Sequence, residues 1–458
     1  MKLMETMKKE YLIYKLSDTI KTTSRIDDAL FKQYNVKRGL RNEDHSGVLV
    51  GLTHIGDVVG YKKNVDGAIV EAIPGRLVYR GIDVEELVKG AFREKRTGYE
   101  ETVFLLLAGF LPDSEDYKGF CELLKENMPL GHRTKMSIID MRGHNIMNIL
   151  SRTVLGMYTF DENPDDTSRT NLVRQSLDLI AKFPTIVAYA YNIVRHAEQG
   201  LSLNIRHPRP ELSIAENFLY LLKGENYTPL DVKILDTALI LHAEHGGGNN
   251  STFTVRVTSS SGTDTYSSIA AAIGSLKGPL HGGANLQVID MFEHIKDNVK
   301  DWQNVDELDA YLKRMLNKEV YDQKGLIYGI GHAVYTISDP RTVVLKELGR
   351  KLAAEKGRES EYAFLELLEE RAIANFMEFK GNKVGKRVCA NVDFYSGFVY
   401  EMIGLPKEVY TPLFAISRIA GWCAHRIEEL NFDHRRIIRP AYKNVIVEKQ
   451  EFIPMKDR

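Results

Sequence analysis

Apolar residues recur at steps of three and four along most of the chain after residue 80, a spacing typical of amphipathic helices. Long helices with little strand predict an all-α protein. The pattern predicts helices over residues 83–91, 99–110, 113–128, 134–158, 168–199, 213–223, 229–244, 264–275, 284–296, 304–318, 340–356, 360–379, 394–404 and 412–430.

Three segments depart from this pattern. Residues 1–45 are charged and weakly periodic, which predicts short surface helices. Within 47–79, short β-branched runs are broken by Gly, Asp and Pro, which predicts small β-hairpins. Residues 246–262 are rich in Gly, Asn and Ser and are expected to form a loop. Pro184 predicts either a kink or a division into two helices within 168–199.

Composition excludes several classes of protein. The 61 Lys and Arg residues nearly balance 62 Asp and Glu residues, so charge gives no argument for binding nucleic acid or an anionic membrane. The three cysteines are far apart, which favours a reducing compartment and opposes a disulfide framework. No apolar run approaches the roughly 18 residues of a membrane span, and Met1–Leu16 resembles neither a signal nor a transit peptide. We expect a cytoplasmic protein.

His281 has the sequence context of a possible catalytic group. It stands between glycines in Gly278–Asn285, at the start of the helix predicted from Ala284. The positive end of a helix dipole disfavours imidazolium, so a neutral imidazole could donate an N–H to a carbonyl. Most glycine-flanked histidines are turn residues, and that alternative stays open.

His245 lies near a predicted helix end, three residues after His242. The favoured interpretation is a C-terminal cap, with His245 as a cation and Gly246 just beyond the helix. A metal pair is the alternative, but the histidine spacing and glutamate of the zincin motif are missing.

Arg341 follows Asp339 and Pro340, which are typical of an N-cap and first helical residue. A cation in a first turn opposes the helix dipole, so Arg341 could face an anion. The plain alternative is an exposed arginine paired with Glu347 or another surface acid.

Two further segments carry charge among apolar residues. Asp393 begins an aromatic-rich helix, as an N-cap or as a poorly solvated carboxylate base. Arg418 lies in an apolar helix, where a charge is costly without a partner. Arg439 follows a basic loop. The segments together hold histidines, a carboxylate and arginines, which suits polarising carbonyls and binding a dianion.

These motifs resemble the citrate synthase family in order and approximate spacing. The matching segments are Pro74–Gly81, Gly98–Glu101, His242–His245, Gly278–Asn285, Gly329–Arg341, Asn391–Gly397 and Gly421–His425. The resemblance covers about Gly47 to Pro440.

The resemblance implies a two-domain, all-α citrate synthase-like fold with a small N-terminal β-hairpin region. It implies a large domain in residues 1–281 and 391–458, the latter with a dimer-exchanged tail, and a small domain in 282–390 that closes over the substrates. The assembly would be a homodimer with shared active sites.

The implied reaction is the condensation of acetyl-CoA with oxaloacetate and hydrolysis of citryl-CoA, as in the tricarboxylic acid cycle. By motif, His281 would stabilise the enol(ate), Asp393 would remove the methyl proton and His332 would polarise the ketone. The carboxylates would be held by His245, Arg341, Arg418 and, from the partner subunit, Arg439. No cofactor or metal is implied, since the coenzyme A thioester is a substrate.

Some features leave alternatives. The basic residues Lys383, Lys386 and Arg387 could meet the CoA phosphates or form a solvated loop. A 2-methylcitrate synthase using propionyl-CoA shares the motifs, since one methyl group in an apolar pocket gives only about 1–3 kcal/mol of discrimination. More remote alternatives are a metalloenzyme that uses the histidines at 242, 245, 281 and 332, and an inactive interaction protein.

Overall fold

The computed structural model describes residues 2–44, 46–64, 69–141, 143–380, 387–446 and 451–457. The described residues within Met1–Gly51 and Lys63–Val70 form one compact unit. It contains helices α1 (Lys2–Thr23) and α2 (Asp28–Gln33). Asp27 caps α2 by accepting a hydrogen bond from the Ala29 N–H. The first helix has 22 residues, so the prediction of only short helices here is wrong.

A small sheet follows the first helices. Its strands are β1 (Gly56–Lys63), β2 (Ile69–Tyr79) and β3 (Ile82–Asp83), in the order β1-β2-β3. β2 and β3 are antiparallel, with Tyr79 opposite Ile82. This confirms the predicted β-hairpin region, although its first β-branched run, residues 48–53, forms no strand.

The described residues within Leu52–Lys62 and Glu71–Arg458 form a second compact unit, which is mostly helical. Its helices lie close to their predicted positions and confirm the all-α class. They are α3 (Val84–Arg93), α4 (Tyr99–Ala108), α5 (Ser114–Asn127), α6 (His132–Asp140), α7 (Ile146–Met157), α8 (Arg169–Gln199), α9 (Ile214–Lys223), α10 (Pro229–His242), α11 (Asn250–Ser260), α12 (Thr265–Lys277), α13 (Ala284–Asn298), α14 (Val305–Leu316), α15 (Pro340–Lys356), α16 (Glu359–Lys380), α17 (Asp393–Met402) and α18 (Tyr410–Leu430).

Two helix boundaries differ from the predictions. The single helix predicted over 134–158 is divided into α6 and α7, and Asn145 caps α7 by accepting from the Asn148 N–H. By contrast, α8 runs through Pro184 without division. Proline inside a helix costs about 3 kcal/mol or more, so the burial of Phe183, Pro184 and Thr185 must offset that cost.

The same helix, α8, is long and apolar enough to cross a membrane by length and composition. However, 83% of its most apolar window is buried inside the protein. It packs against α5, α7, α9 and α18. This burial is typical of a core helix.

The predicted loop at 246–262 is wrong, because residues 250–260 form α11. Asn, Ser and Thr have low helix propensity, which is why the pattern favoured a loop. Tertiary packing outweighs it: α11 lies against α12 and α18 and buries Ser251, Thr252, Val255 and Arg256. This helix brings polar side chains to the neighbourhood of α18.

The core is one large apolar cluster, and α18 lies within it. Nearly the whole of α18 is buried, including Arg418, Trp422 and Arg426. The proposed domain boundaries at 281/282 and 390/391 stay a prediction.

Candidate active site

Hydrogen bonds fix His332 in a loop ahead of α15. Gly329 and Gly331 have φ values of +80° and +99°, conformations that favour glycine. His332 Nδ1 accepts hydrogen bonds from the backbone N–H groups of Val334 and Tyr335, each 3.0 Å long. Because Nδ1 accepts, a neutral His332 carries its proton on Nε2.

Asp339 and Arg341 form a buried ion pair at the start of α15. Asp339 caps the helix through the Arg341 N–H, as predicted. The guanidinium of Arg341 binds the same carboxylate through Nε (3.0 Å) and Nη2 (2.7 Å). Burial would raise the pKa of Asp339, but the charge of Arg341 outweighs it and lowers the pKa. The alternative pairing of Arg341 with Glu347 is wrong, since Glu347 pairs with Lys351.

His245 is not a capping cation, so the favoured sequence interpretation is wrong. α10 ends at His242, so His245 lies beyond the last turn of the helix. Burial, followed by the charge of Arg341, lowers the pKa of His245 well below its ordinary value, so the imidazole is neutral. Its ring meets the His332 ring edge-on at a centroid distance of 5.2 Å. Within the described part of the chain, His245 Nε2 is buried without a hydrogen-bond partner.

Arg418 is completely buried, as the apolar surroundings of α18 predict. Its Nε donates to the His242 carbonyl at 2.6 Å. Among the residues described, neither Nη1 nor Nη2 of Arg418 has a partner. Burial lowers the pKa of Arg418 to about 10, although the nearby Glu244 charge opposes that effect. Two buried N–H-bearing nitrogens without partners are costly, and an anionic ligand would satisfy both.

Asp393 is the first residue of α17 rather than its N-cap, which is Val392. The Asp393 N–H donates to Asn391 Oδ1 at 3.0 Å. Burial raises the pKa of Asp393 to about 6, although Arg341 opposes the shift. The capping alternative is therefore wrong, and the side chain is a poorly solvated carboxyl.

Backbone pairing joins the segments that carry His332 and Asp393. The Gly331 N–H donates to the Cys389 carbonyl, and the Asn391 N–H donates to the Gly329 carbonyl, both at 2.8 Å. Asn391 Nδ2 also donates to the Gly331 carbonyl at 2.9 Å. The loops are thus held side by side.

His281 lies in the turn between α12 and α13. Its Nε2 is 3.1 Å from Ser251 Oγ. Ser251 Oγ accepts from Trp422 Nε1 at 3.1 Å, and its hydroxyl donates to Asn249 Oδ1 at 2.9 Å. Burial, followed by the charge of Arg418, lowers the pKa of His281 to about 4. The neutral imidazole predicted from the helix dipole is therefore present, but burial is its main cause.

The charge of Arg418 connects these groups. It contributes to the lowered pKa values of His245 and His281, and it opposes the raised pKa of Asp393. Such electrostatic effects require proximity. The buried charge of Arg418 therefore acts on His245, His281 and Asp393, which come from three different segments. The structure thus brings together His245, His281, His332, Arg341, Asp393 and Arg418 around the N-terminal half of α18.

Comparisons with known proteins agree with this arrangement. The family described as citrate synthase, C-terminal domain, matches residues 44–441. The chain belongs to the citrate synthase family. A citrate synthase from Deinococcus radiodurans is 37% identical over 385 residues, covering 84% of this chain and 93% of that protein. A 2-methylcitrate synthase from Shewanella oneidensis is 33% identical over 384 residues, covering 83% and 92%.

Solved citrate synthase structures are also similar. The ternary complex of the Thermoplasma acidophilum citrate synthase with carboxymethyl coenzyme A and oxaloacetate has a TM-score of 0.75 and 27% identity. The similarity covers 92% of this chain and 99% of that chain. The predictions of a citrate synthase fold and a condensing acyltransferase are confirmed.

Several side chains of this citrate synthase site were missed by sequence reasoning. Ser251 and Trp422 contact His281 or its partner, and Asn391 joins two loops. The run of Asn249, Asn250 and Ser251 lies in the segment whose composition predicts a loop. Asn391 and Trp422 stood inside family motifs, and only their contacts give them a role.

The four remaining predicted binding residues are Lys383, Lys386, Arg387 and Arg439. Lys383 and Lys386 lie outside the described residues, whereas Arg387 is exposed. Arg439 is exposed in the segment after α18. Their roles stay predictions. Within the described ranges, no group of three or more His, Cys, Asp or Glu side chains has the geometry of a metal site, so the histidine-cluster alternative gains no support.

Proposed function

We propose that this citrate synthase family member condenses acetyl-CoA with oxaloacetate and hydrolyses the citryl-CoA product to citrate and CoA, as in the tricarboxylic acid cycle. The carrying observation is the buried Arg418, whose Nη1 and Nη2 have no partner in the described part of the chain. His245 Nε2 is in the same state. These groups suit a carboxylate, and Arg341 adds a second buried cation for a dianion.

His332 would polarise the ketone of oxaloacetate. Its Nδ1 accepts from two backbone N–H groups, so a neutral His332 has its proton on Nε2 and would donate it to the substrate. The neighbouring His245 is neutral, so it adds no positive charge next to the Nε2–H group of His332. A fixed donor needs no reorganisation during the reaction, which is the basis of electrostatic stabilisation.

Asp393 would remove the methyl proton of acetyl-CoA while His281 donates to the developing enolate oxygen. A pKa of about 6 makes Asp393 a stronger base than an ordinary aspartate, but still a weak one for a thioester methyl. The neutral His281 imidazole carries one N–H for this role. Such a donor supplies about 3–4 kcal/mol, and fixing both substrates supplies about 7–11 kcal/mol. Positioning is therefore the larger contribution.

The active unit in this proposal is a homodimer, with Arg439 reaching the partner's site. Its support is the segment after α18, which is irregular and largely exposed through residue 446. Phe432, Ile437 and Tyr442 on this segment are all exposed apolar side chains. Closure of the 282–390 region over the substrates is part of the same proposal. A cytoplasmic location also stays a prediction, with the free thiols of Cys121, Cys389 and Cys423 as its support.

A thiol-release assay tests the function. The protein is mixed with oxaloacetate and either acetyl-CoA or propionyl-CoA, and released CoA is measured with a thiol reagent. Oxaloacetate-dependent release with a higher kcat/KM for acetyl-CoA is the expected result. Faster turnover of propionyl-CoA would favour the 2-methylcitrate alternative, and no release with either thioester would contradict the proposal. A chelator added in parallel should leave the rate unchanged.

A further inference from the structure

Tyr335 occupies the centre of an aromatic cluster beside the proposed ketone site. Its buried ring stacks on the imidazole of His332, with centroids 4.5 Å apart and planes at 20°. His245 meets Tyr335 edge-on at 5.8 Å and meets His332 edge-on at 5.2 Å. The two histidine rings and the tyrosine ring therefore restrain one another.

Strand β2 holds the Tyr335 ring from outside the cluster. The hydroxyl of Tyr335 donates to the Arg76 carbonyl at 3.3 Å. Gly75 lets the strand approach closely, since a Cβ there would lie 2.6 Å from Tyr335 Cδ1 and 2.1 Å from the Ser338 carbonyl oxygen. The Tyr335 ring thus packs directly against the backbone of β2 at Gly75, where no side chain lies between them.

The backbone and the ring of Tyr335 restrain different properties of His332. The Tyr335 N–H helps to hold His332 Nδ1 as an acceptor, which sets the tautomer. The hydrogen bonds to Nδ1 fix the position of one ring nitrogen of His332. The stacked phenol ring fixes the plane of the imidazole and therefore the direction of its Nε2–H bond. Burial raises the pKa of Tyr335, so its phenol stays neutral and supplies no charge or proton of its own.

We infer that Tyr335 is a positioning residue, whose aromatic ring holds the His332 imidazole in the plane needed to polarise the substrate ketone. This inference rests on the proposed function, because it acts through the assigned role of His332. A misplacement of about 1 Å in a catalytic group can cost on the order of 100-fold in rate. The stacked face, rather than the hydroxyl, should carry the effect.

The test compares three variants of the full-length protein. Tyr335→Phe keeps the ring and removes the hydroxyl, whereas Tyr335→Leu and Tyr335→Met fill the space without a flat ring. We expect Tyr335→Phe to retain kcat within about 3-fold, and the other two to lose about 10-fold to 100-fold in kcat. The KM for acetyl-CoA should change less than about 2-fold in all three, since no thioester contact is altered.

The carbonyl stretch of bound, carbon-13-labelled oxaloacetate gives a direct readout in difference infrared spectra. It should move toward the frequency of free oxaloacetate in Tyr335→Leu and Tyr335→Met, and stay at the wild-type frequency in Tyr335→Phe. Wild-type kcat and frequency in either folded aliphatic variant would overturn the inference, as would an equal loss in Tyr335→Phe. Met is the more flexible replacement and provides the readout if Leu does not fold. A wild-type protein without thiol release would instead contradict the proposed function.

Discussion

Burial sets the protonation states of two side chains at the candidate active site. It raises the pKa of Asp393 to about 6 and lowers the pKa of His281 to about 4. Near pH 7 the aspartate is mainly ionised and the histidine is neutral, as a base and a hydrogen-bond donor require. The same desolvation that prepares these groups for chemistry makes the ionised Asp393 a cost to folding.

Replacing Asp393 should therefore change how stability depends on pH. The folded pKa of about 6 lies above the ordinary value of 3.8, so the stabilising contribution of the protonated form is fully present below pH 3.8 and is lost as pH rises through 6. Asp393→Asn removes this loss. Relative to wild type, the variant should gain on the order of 3 kcal/mol between pH 4 and 7, measured by urea unfolding.

The exposed Asp297 on α13 provides a matched control substitution, Asp297→Asn, which removes a carboxylate outside the buried core. Asp393→Asn should also lose at least about 100-fold in kcat, the scale of a removed general base. A stability difference between Asp393→Asn and wild type that stays constant from pH 4 to 7 would contradict the assigned titration.

Residue types alone predicted part of these states. The neutrality of His281 could be anticipated because its glycine-flanked position precedes a helix. The neutrality of His245 could not, because its lowered pKa depends first on burial and then on the charges of Arg341, His332 and Arg418, which come from distant segments. A histidine near a helix end is more often a favourable cation, and only the fold removes the solvent that such a cation needs.

At the scale of elements, α18 carries two buried arginines with opposite hydrogen-bond states. Arg426 donates to the hydroxyl groups of Ser259, Thr265 and Ser268 and to the Thr263 carbonyl. Arg418, in contrast, has two terminal nitrogens without partners among the described residues. The first pattern is that of a structural arginine, and the second suits an arginine that binds an anion.

Methionine substitutions should separate these two roles. Arg418→Met should weaken oxaloacetate binding at least about 100-fold, because two charge-assisted hydrogen bonds are lost. Its melting temperature should stay level or rise, since a buried charge is removed. Calorimetric titration and thermal unfolding measure the two effects.

Arg426→Met serves as the comparison on the same helix. It should destabilise the fold by about 2–4 kcal/mol, because buried hydroxyl groups lose their donor, while the folded fraction binds oxaloacetate as wild type does. Equal losses of oxaloacetate affinity in the two variants would refute the distinction.

Strand β2 approaches the segment before α15 through glycine, and this contact can be tested. A Cβ at Gly75 would lie 2.1 Å from the Ser338 carbonyl oxygen, so Gly75→Ala must displace backbone. We expect a loss of about 1–3 kcal/mol in the free energy of unfolding, together with a lower kcat. Gly119→Ala in α5 is the control, since nothing lies within 4 Å of its Cβ position. The control should gain up to about 1 kcal/mol, and equal effects of the two substitutions would contradict the contact.

The sequence predicted most helices because their apolar periodicity is local. It failed at α11, where Asn250, Ser251 and Thr252 have weak helix propensity and are ordered by α12 and α18. The predicted division at Pro184 is also wrong, because its local cost is offset by burial along α8, whereas the alternative of a kink stays a prediction. Both failures arise where contacts distant in sequence outweigh local preference. The site followed the same rule: motif residues were predicted, and the links between them were not.

At the scale of the whole molecule, the segment after α18 differs from the rest of the second unit. From residue 431 to 446 it forms no helix or strand, and Tyr442 is 95% exposed. Exposed apolar side chains on an irregular segment are costly in water, so a second copy of the chain is a natural partner. Arg439 lies in this segment, which makes its reach into a partner's site testable.

Mixing two inactive variants tests the shared site. If Arg439 acts across a dimer, each active site combines Asp393 of one subunit with Arg439 of the other. The variants Arg439→Ala and Asp393→Asn then damage the site from different subunits. Each homodimer should then have two damaged sites, whereas a mixed dimer has one intact site and one doubly damaged site. Equal coexpression with two different affinity tags allows the mixed dimer to be purified and assayed.

The mixed dimer should reach about half of the wild-type kcat per dimer, because closed two-fold symmetry gives it one intact site out of two. If Arg439 instead serves its own subunit, each site in the mixed dimer keeps one defect and activity stays at the level of the inactive parents. Full activity of the Arg439→Ala homodimer would remove Arg439 from the site altogether. Only the first outcome gives the exposed Arg439 guanidinium an anion to bind, since it would then meet a carboxylate of oxaloacetate in the partner's site.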